Sequence, residues 1–139
     1  MPLEAFSIGL AGAMFNAGML VANMCFTRAE QIAKYDMALF SKQGQFCTLL
    51  WGAAYAAVAF DGKNSGQVGK YVWLVFTLEK AYYVLHWARW HMKNDVGKMW
   101  KTATGSGDPL AILTPVFYST YGLGDAVFAA LYATLFLQG

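Results

Sequence analysis

Four long apolar runs, separated by polar and turn-forming residues, dominate the sequence. They cover roughly residues 5–26, 44–60, 71–90 and 112–137. Apolar runs of about 20 residues match the hydrocarbon thickness of a bilayer when they are helical. The pattern predicts an all-α integral membrane protein, with four transmembrane helices in an antiparallel bundle that forms a single domain over residues 1–139.

The four predicted spans differ in their apolar character. The first and fourth are the clearest, whereas the third contains enough polar residues for a hydropathy scan to miss it. The second has about 17 residues and would cover only ~25 Å, so either Lys42, Gln43 and Gln45 extend towards the membrane surface or the bilayer thins locally. A turn is expected at residues 61–66, Asp-Gly-Lys-Asn-Ser-Gly, between the second and third spans. A soluble four-helix bundle is disfavoured because residues 10–26 contain no charged side chain.

Composition and charge support a membrane protein with a defined orientation. Hydrophobic residues make up 58% of the chain and charged residues only 13%, which is more apolar than an ordinary soluble domain. Lys63 and Lys70 lie between the second and third spans, and the positive-inside rule places that loop and both termini on the non-cytoplasmic side. The opposite side carries more basic residues, namely Arg28, Lys34, Lys42, Arg89, Lys93, Lys98 and Lys101.

The basic residues do not require a nucleic-acid partner, because contact with anionic lipid headgroups is sufficient to explain them. The first apolar run lacks a basic segment before it and a small-residue cleavage site after it. We therefore expect a retained helix in a multi-pass protein rather than a signal peptide.

Ionisable residues near the middle of two spans are the most informative polar feature. Glu79, Lys80 and Asp125 are costly at that depth and usually mark function. Counted at 1.5 Å per residue, Asn16 lies at a similar depth, so these four residues are expected in one midplane layer. We predict an ion pair between Lys80 and Asp125, with Glu79 either protonated or hydrogen-bonded by Asn16 and Tyr83.

A stripe of polar residues on the third span extends this predicted site. Glu79, Tyr83 and His86 follow one another at helical spacing and share one face. A second polar layer nearer the cytoplasm is expected from Asn23, Gln45, His86 and Ser119. The predicted ligand-binding set is Asn16, Glu79, Lys80, Tyr83, His86, Tyr121 and Asp125.

These residues favour binding of a hydrophobic small molecule, or a role as accessory subunit of a larger membrane complex or homo-oligomer. One alternative is a membrane enzyme in which Glu79, Asp125 and His86 act as catalytic residues in proton transfer on a lipid or isoprenoid-like substrate. Others are a haem or pigment protein with His86 or His91 as ligand, a proton pathway, and an interhelical polar clamp without further function. No cofactor is assigned, and no metal site is predicted because no HExxH motif or comparable cluster occurs.

Two local features have structural interpretations. Cys25 and Cys47 form no CxxC pair and are expected to be small, buried, reduced residues. Asp108 precedes Pro109 and is expected to cap the last helix, where proline is tolerated in the first turn.

Overall fold

The computed structural model describes residues 4–139, which are helical and form no strand. This confirms the all-α prediction. The helices are α1 (Ala5–Ala22), α2 (Ala29–Ala33), α3 (Met37–Phe40), α4 (Lys42–Ser65), α5 (Lys70–Lys93), α6 (Val96–Gly105) and α7 (Leu113–Gln138), with a 3-10 turn at Pro109–Ile112 before α7.

The long helices form two antiparallel pairs, α1 with α4 and α5 with α7. Along the first pair, Gly9 lies against Ala59 and Gly52 against Ala13. Beyond the end of α1, the Asn23 side chain contacts the start of α4. A Cβ atom on Gly9 would lie 2.8 Å from that of Ala59, so glycine is what lets these backbones approach closely.

Aromatic rings join the two helix pairs. Phe15 of α1 packs on Phe128 of α7, with ring centroids 5.4 Å apart. Between α4 and α5, Phe76 meets Tyr55 at 4.7 Å and Trp51 at 6.3 Å in edge-to-face geometry. Such pairs add about 0.5–1.5 kcal/mol beyond area burial. The core of the bundle is therefore largely aromatic.

Helix α1 ends four residues earlier than predicted. Met24, Cys25 and Phe26 have left-handed backbones, with φ values of 51°, 52° and 68°. The Asn23 side chain accepts a hydrogen bond from the Phe26 N–H at 3.0 Å, and the Asn23 backbone carbonyl accepts one from the Arg28 N–H at 2.8 Å. Left-handed non-glycine residues cost about 1–3 kcal/mol each, so Asn23 holds a strained turn in place.

Helix α4 is longer than predicted and contains most of the expected 61–66 turn. It runs to Ser65 and ends at Gly66, whose φ of 78° suits glycine and whose N–H donates to the Gly62 carbonyl. Its 24 residues extend roughly 36 Å at 1.5 Å per residue. The predicted short second span is thereby corrected, because the polar residues of the turn continue the helix.

Asp108 acts as the predicted cap, but for the 3-10 turn rather than directly for an α-helix. Its carboxylate accepts the Leu110 N–H at 3.0 Å and also the Arg28 guanidinium. These hydrogen bonds, chiefly the one from Arg28, hold the pKa of Asp108 below its usual range. The contact connects the turn after α1 to the start of α7.

The two cysteines are free thiols, but both are exposed, which corrects the prediction that they are buried. Cys25 lies in the left-handed turn, and Cys47 lies on the outward face of α4. Their small size did not determine burial, because the helix face and the turn geometry decide which way the side chains point.

Two helical segments of the described chain are long and apolar enough to cross a bilayer. They are Ala5–Ala22 and Pro109–Gln138, with mean hydropathies of 1.6 and 1.3. Helices α4 and α5 each have 24 residues, but they are less apolar than these two segments.

Candidate functional site

A buried ion pair lies at the centre of the bundle. The Lys80 ammonium donates to Asp125 Oδ1 at 2.8 Å and to Asn16 Oδ1 at 2.7 Å. The exposed fractions of Lys80 and Asp125 are 1% and 5%. The predicted Lys80–Asp125 contact is therefore confirmed, and it connects α5, α7 and α1.

The surroundings of Lys80 compensate for its removal from water. Its Nζ atom lies 5.2 Å from the ring centre of Phe15 and 5.0 Å from that of Tyr55. Cation–π contacts of this kind are worth more when they are desolvated. Asn16 is itself held in place, since its amide nitrogen donates to the Thr48 carbonyl at 2.9 Å. All four long helices thus position the ammonium group.

Glu79 is half-buried and accepts a hydrogen bond from the Tyr55 hydroxyl. The sequence interpretation had assigned Asn16 and Tyr83 as its partners. Asn16 instead serves Lys80 and Thr48, because adjacent positions on α5 point about 100° apart. Tyr55 was missed as a partner because no local sequence pattern relates a residue of α4 to one of α5.

A cavity of about 250 Å³ lies beside the ion pair, between α1, α5 and α7. Gly18, Val116 and Thr120 line it and are also exposed, so it opens on the outer surface between α1 and α7. Its remaining apolar walls include Phe15, Met19, Phe40, Leu113 and Phe117. Its other polar lining residues are Asn16, Thr48, Glu79, Lys80, Tyr83, Tyr121 and Asp125.

Tyr121 provides an unused polar group on the cavity wall. Its ring packs on Phe40 at 4.9 Å and stacks on Phe117 at 5.1 Å, leaving only 5% of the residue exposed. Its hydroxyl has no hydrogen-bond partner within residues 4–139. A buried hydroxyl without a partner costs about 1–3 kcal/mol, so this one requires an explanation.

The predicted second polar layer separates into three independent contacts. Asn23 donates to Gln45 at 2.9 Å, and the Trp100 indole donates to Ser119 at 3.1 Å. His86 Nε2 lies 2.6 Å from Asp36 Oδ2. The first contact joins the end of α1 to α4, and the other two fasten α6 and the start of α3 to the bundle, so the three do not form one site.

His86 consequently does not line the cavity, whereas the other six residues of the predicted ligand-binding set do. Its partner Asp36 was missed because it lies far away in sequence. The sequence did offer a signal for the position of Asp36, because an aspartate before the apolar residues 37–40 is typical of a helix cap. In the structure Asp36 caps α3 by accepting the Leu39 N–H at 3.2 Å.

The described part of the chain contains no group of three or more His, Cys, Asp or Glu side chains placed to hold a metal ion. Both histidines use Nε2 in contacts within the protein, since His91 approaches the Tyr118 carbonyl at 2.8 Å. No protein-family model, curated protein or solved structure matches this chain. Fold and site together define a helical bundle with a buried charged pair beside an apolar-walled cavity.

Proposed function

We propose that the four long helices cross a bilayer and that the cavity between α1 and α7 binds a hydrophobic small molecule taken up from the lipid. The observation that carries this proposal is the arrangement of the cavity. It opens through apolar surface, and a buried ion pair with an unused tyrosine hydroxyl lies at its inner wall.

Exposed apolar side chains support the membrane assignment. In the two most apolar segments, only 22% and 28% of the 18-residue apolar stretch is buried inside the bundle, unlike in the core helices of soluble proteins. Residues 43–60 of α4 contain no charged side chain, and the only charges in residues 71–88 of α5 are the inward Glu79 and Lys80. Large exposed apolar residues occur on all four helices, including Met14, Val21, Phe46, Leu50, Leu78, Leu85, Leu123 and Val127.

The orientation can be tested by cysteine labelling in intact cells. In a Cys25→Ser, Cys47→Ser background, Asn64→Cys marks the end that carries few basic residues and Gly105→Cys marks the basic end. A membrane-impermeant maleimide is expected to label position 64 from outside, and position 105 only after permeabilisation, because of the charge bias. Equal labelling at both positions in intact cells, or recovery of the chain in the soluble fraction, would contradict the proposed topology.

The cavity lining has the chemistry of a lipophilic ligand site. Such sites are mostly apolar and aromatic, with a few polar groups that fix the orientation of the ligand. Here Phe40 and Phe117 provide aromatic walls, whereas Asp125 and Tyr121 provide polar atoms on one side. The proposed ligand has an apolar body directed towards the opening and a polar end directed towards the bundle interior.

Blocking the cavity opening tests the binding function. Gly18 lines the cavity, and a Cβ atom there would meet no heavy atom within 4 Å. Gly18→Leu is therefore expected to fill the opening without disturbing the helix contacts. Binding should weaken by about tenfold, since filling the opening removes roughly 1.4 kcal/mol or more of ligand contact. Native mass spectrometry of protein gently extracted from its own membrane would measure the retained ligand.

Ala17→Leu is the matched control, because Ala17 is exposed on the same helix and does not line the cavity. It should retain the same added mass as the wild type. Absence of added mass on the wild-type protein, or equal loss in both variants, would contradict a ligand site here. A co-migrating protein in place of a ligand would instead support the accessory-subunit function.

A further inference from the structure

We infer that the molecule bound in the cavity carries a hydroxyl group, so that the ligand class is an apolar alcohol rather than a fatty acid, an amine or a plain hydrocarbon. This inference rests on the proposed function and specifies its ligand. It follows from the unpartnered Tyr121 hydroxyl and from the charge balance of the cavity wall.

Tyr121 indicates an oxygen-bearing ligand. Its ring is fixed by Phe40 and Phe117, so the hydroxyl cannot rotate away to another partner without disrupting both ring contacts. A ligand oxygen that accepts a hydrogen bond from this hydroxyl would satisfy the buried group. A hydrocarbon offers no acceptor and would leave the hydroxyl without a partner.

The carboxylates indicate that the ligand oxygen should also donate. Asp125 lies one helical turn after Tyr121 on α7, so both residues are on the same face of that helix. Lys80 donates to Oδ1 of Asp125, which leaves Oδ2 to accept from a donor in the cavity. An alcohol both accepts and donates through one uncharged oxygen, which fits a tyrosine hydroxyl beside a carboxylate.

Charge balance disfavours a carboxylate ligand, and the cost of desolvation disfavours an ammonium ligand. Glu79 and Asp125 line the cavity with a single ammonium group, that of Lys80, so a third carboxylate from a fatty acid would meet like charges. Each of the two carboxyl groups also has a donor within the protein, Tyr55 for Glu79 and Lys80 for Asp125. A ligand ammonium would lose its hydration on entering the cavity, a cost that an uncharged alcohol does not carry.

A series of probes with the same chain tests the inference: decanol, decanoic acid, decylamine and decane. Each competes against a photoactivatable decanol analogue for the full-length protein in bilayer nanodiscs. Decanol is expected to compete about threefold better than the other three, because its single uncharged oxygen can accept from Tyr121 and donate to Asp125. Tyr121→Phe should lower the affinity for decanol by about three- to tenfold and leave the affinity for decane unchanged.

Tyr82→Phe is the matched control, since Tyr82 is 59% exposed and does not line the cavity. It should leave the decanol affinity unchanged. Tightest competition by decanoic acid or decylamine, or an equal effect of Tyr121→Phe on decanol and decane, would overturn the alcohol inference while retaining a lipophilic site. Failure of the photoactivatable analogue and of all four probes to bind would instead contradict the proposed function. Thermal unfolding checks that the variant folds. The unfolding temperature of Tyr121→Phe should not fall, because the hydroxyl that it removes has no partner in the protein.

Discussion

Asp125→Leu is expected to lower the free energy of unfolding by about 3–5 kcal/mol, because it leaves the Lys80 ammonium buried without its counter-charge. The ammonium would then keep its 2.7 Å hydrogen bond to Asn16 and its contacts with the rings of Phe15 and Tyr55, none of which carries a negative charge. Lys80→Met should cost a similar amount by leaving the Asp125 carboxylate unpaired. The free energy can be measured by reversible unfolding in mixed micelles.

The double variant Lys80→Met, Asp125→Leu distinguishes pairing from packing. Replacing a whole buried pair with apolar residues of similar size is often neutral or stabilising by about 1–4 kcal/mol. We therefore expect the double variant to recover most of the stability that each single variant loses. If the loss of unfolding free energy in the double variant equals the sum of the losses in the two single variants, the two groups do not interact energetically. Asp61→Leu, at an exposed position near the end of α4, serves as the control and should change stability by less than about 0.5 kcal/mol.

Gln45→Leu is expected to cost roughly 3–5 kcal/mol of unfolding free energy. The Gln45 side chain is fully buried and donates to the carbonyls of Ala29 at 2.8 Å and Phe40 at 3.0 Å, while accepting from Asn23. Leucine would leave these three partners unsatisfied, at about 1–3 kcal/mol each before partial rehydration. The same unfolding measurement applies.

The expected damage from Gln45→Leu is local to the end of the bundle that holds α2 and α3. Hydrogen exchange of the amides in residues 29–40 should rise, because Gln45 hydrogen-bonds both short helices to α4. Gln43→Leu, two residues earlier and exposed, is the matched control and should change neither observable. Equal effects of the two substitutions would contradict a role for this buried network.

Much of the helical architecture could be predicted from the sequence, because helix formation depends on local periodicity. The long apolar runs predicted α1, α4, α5 and α7, with ends in error by up to five residues. Tyr55 was not predicted as the partner of Glu79, because their contact depends on how α4 packs against the other helices.

The Lys80–Asp125 pair was also predictable, since opposite charges at one depth in neighbouring antiparallel helices must pair or be neutralised. The pairing of His86 with Asp36 was not, because it depends on how the chain folds back over 50 residues. The left-handed turn at residues 24–26 was equally hidden, since these residue types normally avoid that conformation and Asn23 imposes it through hydrogen bonds.

The sequence by itself therefore determined that the chain is helical, where its long helices lie and which buried charges must meet, because these features follow from periodicity and from the cost of unpaired charge. Tertiary structure alone decided that Tyr55 serves Glu79, that a cavity opens between α1 and α7, and that the Tyr121 hydroxyl has no partner among residues 4–139. The physical reason is that cavities and orphaned polar groups arise from the mutual packing of side chains distant in sequence, which no local pattern records.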